Sequence, residues 1–130
     1  MAFEITTYAN RTTDHTVTIK TATGGYVQLE ATDVVRFKAG RGGAVVLDLD
    51  QTATANGSKV TVDQVGNGSS VHASVTVRLA QGDTSALTGI YDAEVLVVDD
   101  SETAPANAVK VASYGVLGVV SSLDGDVGLT

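Results

Sequence analysis

Residues 71 to 79 read VHASVTVRL, with an apolar residue at every second position. Successive side chains of a pleated strand leave on opposite sides, so strict alternation marks a strand with one buried face and one wet face. Val71, Ala73, Val75, Val77 and Leu79 share the first face; His72, Ser74, Thr76 and Arg78 share the second. A strand of this kind needs a second layer to cover its apolar side.

The same period recurs in short runs bounded by Gly, Asn, Asp and Ser, and about eight strands result. Phe3 to Tyr8 and His15 to Lys20 read as a first pair, with Phe3, Ile5, Val17 and Ile19 inward. Tyr26 to Leu29 reads as a short strand or, after Gly24 and Gly25, a turn. In the run 33 to 39, Val35, Phe37 and Ala39 face the core. The glycines of AGRGGA (39 to 44) turn the chain, and the return run places Val45, Leu47 and Leu49 inward. A turn centred on Gly42 sets Arg36 opposite Asp48 on the wet face. Val60 and Val62 point inward from the run 59 to 65. Residues 80 to 89 break the period as a crossing loop, with one helical turn expected around Asp83 to Leu87. Ile90 to Val98 and Ala108 to Val120 complete the set, and a phase shift at Ser113 to Gly115 suggests a bulge there. No stretch sustains a helical period.

Composition agrees with strands: 21 Val, 17 Thr and 3 Ile make the chain rich in β-branched residues, and its 14 Gly are dispersed as punctuation. At 130 residues, one domain with its own core is the expectation, over 1 to 120, followed by a polar tail at 121 to 130. Such tails are ordinarily disordered, although in assembly proteins they order on a neighbouring subunit. Eight Lys and Arg against 15 Asp and Glu give a net charge of -7, which disfavours nucleic acid and anionic membrane and favours protein partners. Without cysteine there is no disulfide, thiol nucleophile or zinc-thiolate site. The N-terminus has no signal-peptide pattern, and no apolar run is long enough to span a membrane.

Catalytic patterns are missing from the sequence, and the expectation is a protein that is not an enzyme and holds no metal or cofactor. His15 and His72, placed at the outer face or edge of strands, have no identifiable convergent partners. Serines cluster in turns; both NGS sequences, at 56 to 58 and 67 to 69, read as turn chemistry. The acidic groups Asp48 with Asp50, Asp99 with Asp100 and Glu102, and Asp124 with Asp126 complete no EF-hand pattern. Six aromatic residues without Trp are few for a sugar-stacking cleft.

Gly89-Ile90-Tyr91-Asp92-Ala93 is the most informative short motif. In immunoglobulin-like sandwiches a tyrosine at the start of a strand hydrogen-bonds back to the preceding loop and pins the crossing, and two residues on stands a buried position. Gly89, Tyr91 and Ala93 would fill these structural roles. A tyrosine that merely packs at the strand start leads to the same fold class: all-β, an immunoglobulin-like antiparallel sandwich of about seven to nine strands. Ile90, Leu96 and Val98 place three apolar side chains on the wet face of the same strand. They mark either an interface or a strand buried on both faces.

The segments DVVRFKAGR (33 to 41), ASVTVRLAQGDTSALTGIYDAEVLVVDD (73 to 100) and ASYGVLGVV (112 to 120) together resemble small bacteriophage virion proteins with an immunoglobulin-like sandwich. The shared pattern is an alternating strand, a loop ending in Leu-x-x-Gly-x-Tyr, a strand closing in Val-Asp-Asp and a final strand like Gly-x-Leu-x-Val. Here Leu87 stands one residue closer to Gly89. The resemblance covers roughly residues 30 to 120. It extends to capsid decoration, or cement, proteins and to the N-terminal domain of baseplate upper proteins. It implies a structural role on the outer capsid surface of a virion, after synthesis in the bacterial cytoplasm. The implied partners are the major capsid protein and further copies of the chain, as a homo-oligomer such as a trimer. A tail or baseplate adaptor and a carbohydrate-binding module are the alternatives.

Overall fold

Alternation at this density leaves the chain one economical solution, two sheets with their apolar faces together. A computed structural model describes residues 3–9, 11–19, 27, 29, 33–65, 72–99 and 109–120. Over them run β1 (Phe3–Tyr8), β2 (Thr13–Thr18), β3 (Asp33–Arg41), β4 (Ala44–Leu49), β5 (Lys59–Val65), β6 (His72–Leu79), α1 (Gln81–Thr84), β7 (Gly89–Asp99) and β8 (Val109–Val120). One sheet has the order β1-β8-β7-β3-β4 and the other β2-β6-β5. The fold is an all-β, immunoglobulin-like sandwich.

Its core lies between the sheets. Phe37, Val35, Val95, Val97, Leu117 and Ile5 come from the larger sheet, and Val17, Val60, Val75, Val77 and Leu79 from the smaller. Phe37 is the bulkiest of the fully buried side chains, and its strand is flanked on both sides by hydrogen-bonded neighbours. The crossing between sheets at 80 to 89 is held by side chains. Ser58 Oγ accepts from the Ala80 N–H (2.8 Å), while Asp83 accepts from Thr54 Oγ1 (2.7 Å) and Asn56 Nδ2 (2.9 Å). Partial burial pushes the Asp83 carboxyl upward, but the bonds from Asn56, Ser58 and Thr54 outweigh it and hold the group below its ordinary value.

Several local expectations are corrected. β1 and β2 are not a pair: they belong to opposite sheets, and β1 runs parallel to β8, with Phe3 beside Gly115 and Tyr8 beside Val120. The remaining pairings are antiparallel. The inward Thr7 hydroxyl meets that of Thr13, a polar contact that satisfies both strands where the chain changes sheets. The helical turn begins at Gln81, two residues earlier than expected.

The β3–β4 hairpin turns through Gly42 and Gly43, both at positive φ (60° and 85°), as a two-residue hairpin turn with right-handed strand twist requires. A register shift between Ala39 and Gly40 then changes the phase of β4. Leu47 and Leu49 remain inward, but Val45 pairs with Gly40 and is 60 % exposed. The bulge also moves Asp48 opposite Lys38, so Arg36 reaches it diagonally, at 2.9 Å. At 113 to 115 the pairing with β7 is continuous; the irregularity lies instead at Val97/Val98.

Val27 and Leu29 pack against the core, and the Val27 carbonyl accepts from the Ala73 N–H. The rest of the 26 to 29 reading, the turn at 66 to 70 and the tail at 121 to 130 lie outside the described residues.

Candidate interaction surface

The two outer faces of the sandwich are chemically unlike. On the smaller sheet, Asp14, Thr16, Thr61, Asp63, Ser74, Thr76 and Arg78 alternate with the core positions, so its outer face is hydroxylated and charged. Arg78 forks onto both carboxylate oxygens of Asp14 (2.8 and 3.1 Å), and these hydrogen bonds hold the Asp14 carboxyl below its ordinary value.

On the larger sheet, register arranges the outward residues in rows. Tyr8 stands beside Val120; Thr6, Gly118 and Ile90 form the next row; Glu4, Val116, Asp92, Gly40 and Val45 the third; and Tyr114, Glu94, Lys38 and Asp48 the fourth. Among the described residues six large apolar side chains are exposed, all on strands of this sheet: Tyr8, Val45, Ile90, Tyr114 and Val120 in these rows, led by Ile90 at 70 % and Tyr114 at 65 %, and Val46 at the β4 bulge. Exposed apolar residues scattered singly need no explanation, but a cluster that, among the described residues, gathers on one sheet is a candidate contact surface. Within it, Tyr114, Glu94, Asp92, Lys38, Gly40 and Val45 line an open depression of about 320 Å³.

The candidate residues named from sequence all lie on β7. Tyr91 and Ala93 point into the core, and the Tyr91 hydroxyl accepts the Thr88 N–H at 3.0 Å, closing a short ring at the end of the crossing loop. Gly89 has φ of 88°, a left-handed geometry that favours glycine, and a side chain there would collide with the Arg41 guanidinium. Ile90 opens onto the outer face, and Leu96 and Val98 are half-buried on that same face, beside Arg36 and Val34. The outer face of β7 is therefore mixed: Ile90 is exposed at one end, Leu96 and Val98 are half-buried at the other, and Asp92 and Glu94 stand between them.

Sequence reasoning missed Arg41, taken as part of a turn. Its guanidinium stacks on the Tyr91 ring at 4.0 Å and donates to the carbonyls of Thr88 and Ile90, tying the β3–β4 hairpin to the start of β7. Tyr8, Val45, Tyr114 and Val120 were missed as surface residues. The signal available was the break in alternation after Ser113, where both faces of β8 become apolar or small.

Polar candidates have structural partners. Asp48 pairs with Arg36, and Asp50 accepts from the Thr52 N–H in a turn. Asn67, His72 as a side chain, and the acidic residues 100, 102, 124 and 126 lie outside what is described. Among the described residues no group of three or more His, Asp and Glu is positioned to hold a metal ion. No helix among them is long and apolar enough to cross a membrane.

His15 departs from its expected outer position: it shares the phase of Val17, is half-buried, and shares a hydrogen bond with Thr13 Oγ1 (2.7 Å). Burial lowers its pKa below 6.5, opposed in part by the charge of Asp14. The unfolded chain thus takes up this proton at higher pH than the folded one. Stability contributed by neutral His15 is complete above the unfolded pKa and declines as pH falls from there toward the folded pKa. Denaturant titrations from pH 8 to pH 5 should show this decline in the native chain and a flatter profile in His15→Gln; parallel profiles would refute the assignment.

Compared with known proteins, the chain matches no family model, no curated protein and no solved structure.

Proposed function

We propose that this chain is a non-enzymatic structural protein of a bacteriophage virion. It decorates the outside of the head and holds neighbouring major capsid subunits together through the outer face of its five-stranded sheet. The observation that carries the reading is the asymmetry between the two faces: exposed apolar side chains gather on one sheet, while the other presents hydroxyls and ion pairs. An acidic chain with a single apolar face suits adhesion to protein and stands off packaged DNA. Weak copies repeated on a symmetric lattice bind collectively, so each contact can be modest.

Cryo-electron microscopy of intact particles tests this. Sandwich density on the head shell, with β1, β8 and β7 turned toward capsid subunits, is the expected result. Density confined to the tail would replace it with the adaptor role, and absence from particles would refute a virion role. Ile90→Asp should weaken attachment by about tenfold per site while leaving the fold intact, because it puts a charge into the centre of the apolar contact. Unchanged occupancy in particles carrying that variant would move the interface elsewhere.

A further inference from the structure

We propose that the depression at Tyr114 receives an arginine side chain from a basic surface of the partner protein; this rests on the outer face of the five-stranded sheet being the interface. Tyr114 presents a largely exposed ring on β8, and Glu94 is its direct cross-strand neighbour on β7. Asp92 lies two residues along the same strand and on the same face, and both carboxylates line the depression. Neither carboxylate makes a hydrogen bond or ion pair among the described residues. A ring flanked by two carboxylates that are unpaired among the described residues offers a planar cation a π-face to stack on and oxygens to receive its forked N–H groups.

This chain uses the same chemistry internally. Arg41 stacks on Tyr91 at 4.0 Å, and Arg11 stands 5.2 Å from the centre of the Tyr8 ring. Among the described tyrosines, Tyr114 is the one with no cation of its own over the ring. Gly40 also belongs to the lining, where the Ala44 backbone approaches it closely, and Val45 beside it supplies an apolar wall for the aliphatic stem of the guest.

Charge selects the occupant. Asp92 and Glu94 outnumber Lys38 within the depression, and the whole chain carries -7. A second copy docked by two-fold symmetry would bring the same acidic surface against itself, whereas a basic partner meets it with complementary charge. Lys38 lies across from Glu94 and competes with the guest.

The test titrates the isotope-labelled full chain with the blocked tripeptide Gly-Arg-Gly, followed by amide NMR shifts, with the neutral citrulline analogue as control. Saturable shifts centred on Gly40, Asp92, Glu94 and Tyr114 are expected with arginine and not with citrulline. Tyr114→Ala should weaken the binding about three- to fivefold, and Lys38→Met should tighten it about twofold. Equal response to citrulline, shifts centred elsewhere, or none would overturn the proposal. So would saturation of these residues by N-acetylglucosamine in place of arginine, or self-association through them in sedimentation experiments. Because the titration uses the isolated chain, its failure leaves the location in particles to be decided separately.

Discussion

Tyr91→Ala is expected to lower the free energy of unfolding by about 3–5 kcal/mol, and Tyr91→Phe by about 1 kcal/mol. The two numbers separate what the ring does from what its hydroxyl does. The ring is buried on β7 between the core and the Arg41 guanidinium, so truncation leaves a cavity and strips a cation of its π-face. Phenylalanine keeps both contacts and loses only the acceptor for the Thr88 N–H. Against the ~5–15 kcal/mol that holds a typical domain together, the alanine change removes a large fraction. Arg41→Ala tests the same joint from the other strand; with Tyr91→Ala it should be less than additive, since the two residues share one contact. Urea titrations of the four chains settle the cycle. If Tyr91→Phe matches the native chain within about 0.3 kcal/mol, the hydroxyl does not pin the crossing, and the tyrosine acts by packing alone.

That joint also shows how far the sequence could be read. Gly89-Ile90-Tyr91-Asp92-Ala93 is local, and every property the motif needs, a left-handed turn, a buried ring and a small buried neighbour, is carried by residues within five positions. Phe37, Val75 and Val77 were likewise legible, since each obeys an alternation that only a half-buried strand would keep. Arg41 was not legible: its partners are about 50 residues away, and nothing near it announces a tyrosine ring. Val45 failed for a different reason. One extra residue on β4, Val46, opposite the Ala39/Gly40 step reverses the phase of the strand, and two adjacent valines give no sign of which one the bulge displaces.

The exposed apolar face was hidden by the same arithmetic. Alternation reports burial by contrast between apolar and polar positions, so it goes silent where the outer face is apolar too. On β8, Val116 and Val120 face outward on either side of the inward Leu117 and Val119. The run therefore reads as nearly continuous hydrophobicity, and the apparent phase shift at Ser113 to Gly115 is a change in face chemistry with no break in pairing. Ile90, Leu96 and Val98 raised the question of a covered or uncovered second face; Tyr114, Val120 and Val45 become part of it only once the strands are side by side.

Gly115→Ala is expected to cost about 2–3 kcal/mol, a large effect for one added methyl group. In the parallel pair, Phe3 lies beside Gly115, and the Phe3 carbonyl and ring occupy the space a side chain there would need. Ring atoms can swing aside, but a carbonyl in a hydrogen-bonded strand moves only with its strand. The methyl group must therefore push β1 away from β8, exposing Ile5 and opening the Thr7–Thr13 contact. Hydrogen exchange should accelerate at residues 4 to 8, while β5 and β6, in the other sheet, keep their protection. Phe3→Ala in the same chain should recover only part of the loss, because the carbonyl remains. Full recovery would place the conflict in the ring alone, and uniform loss of protection across both sheets would mean that β1 does not open separately. The consequence reaches the surface as well: Tyr8 is carried by β1 and stands beside Val120. Under the proposed role, loosening that strand should weaken partner attachment even though Gly115 itself offers no side chain to a partner.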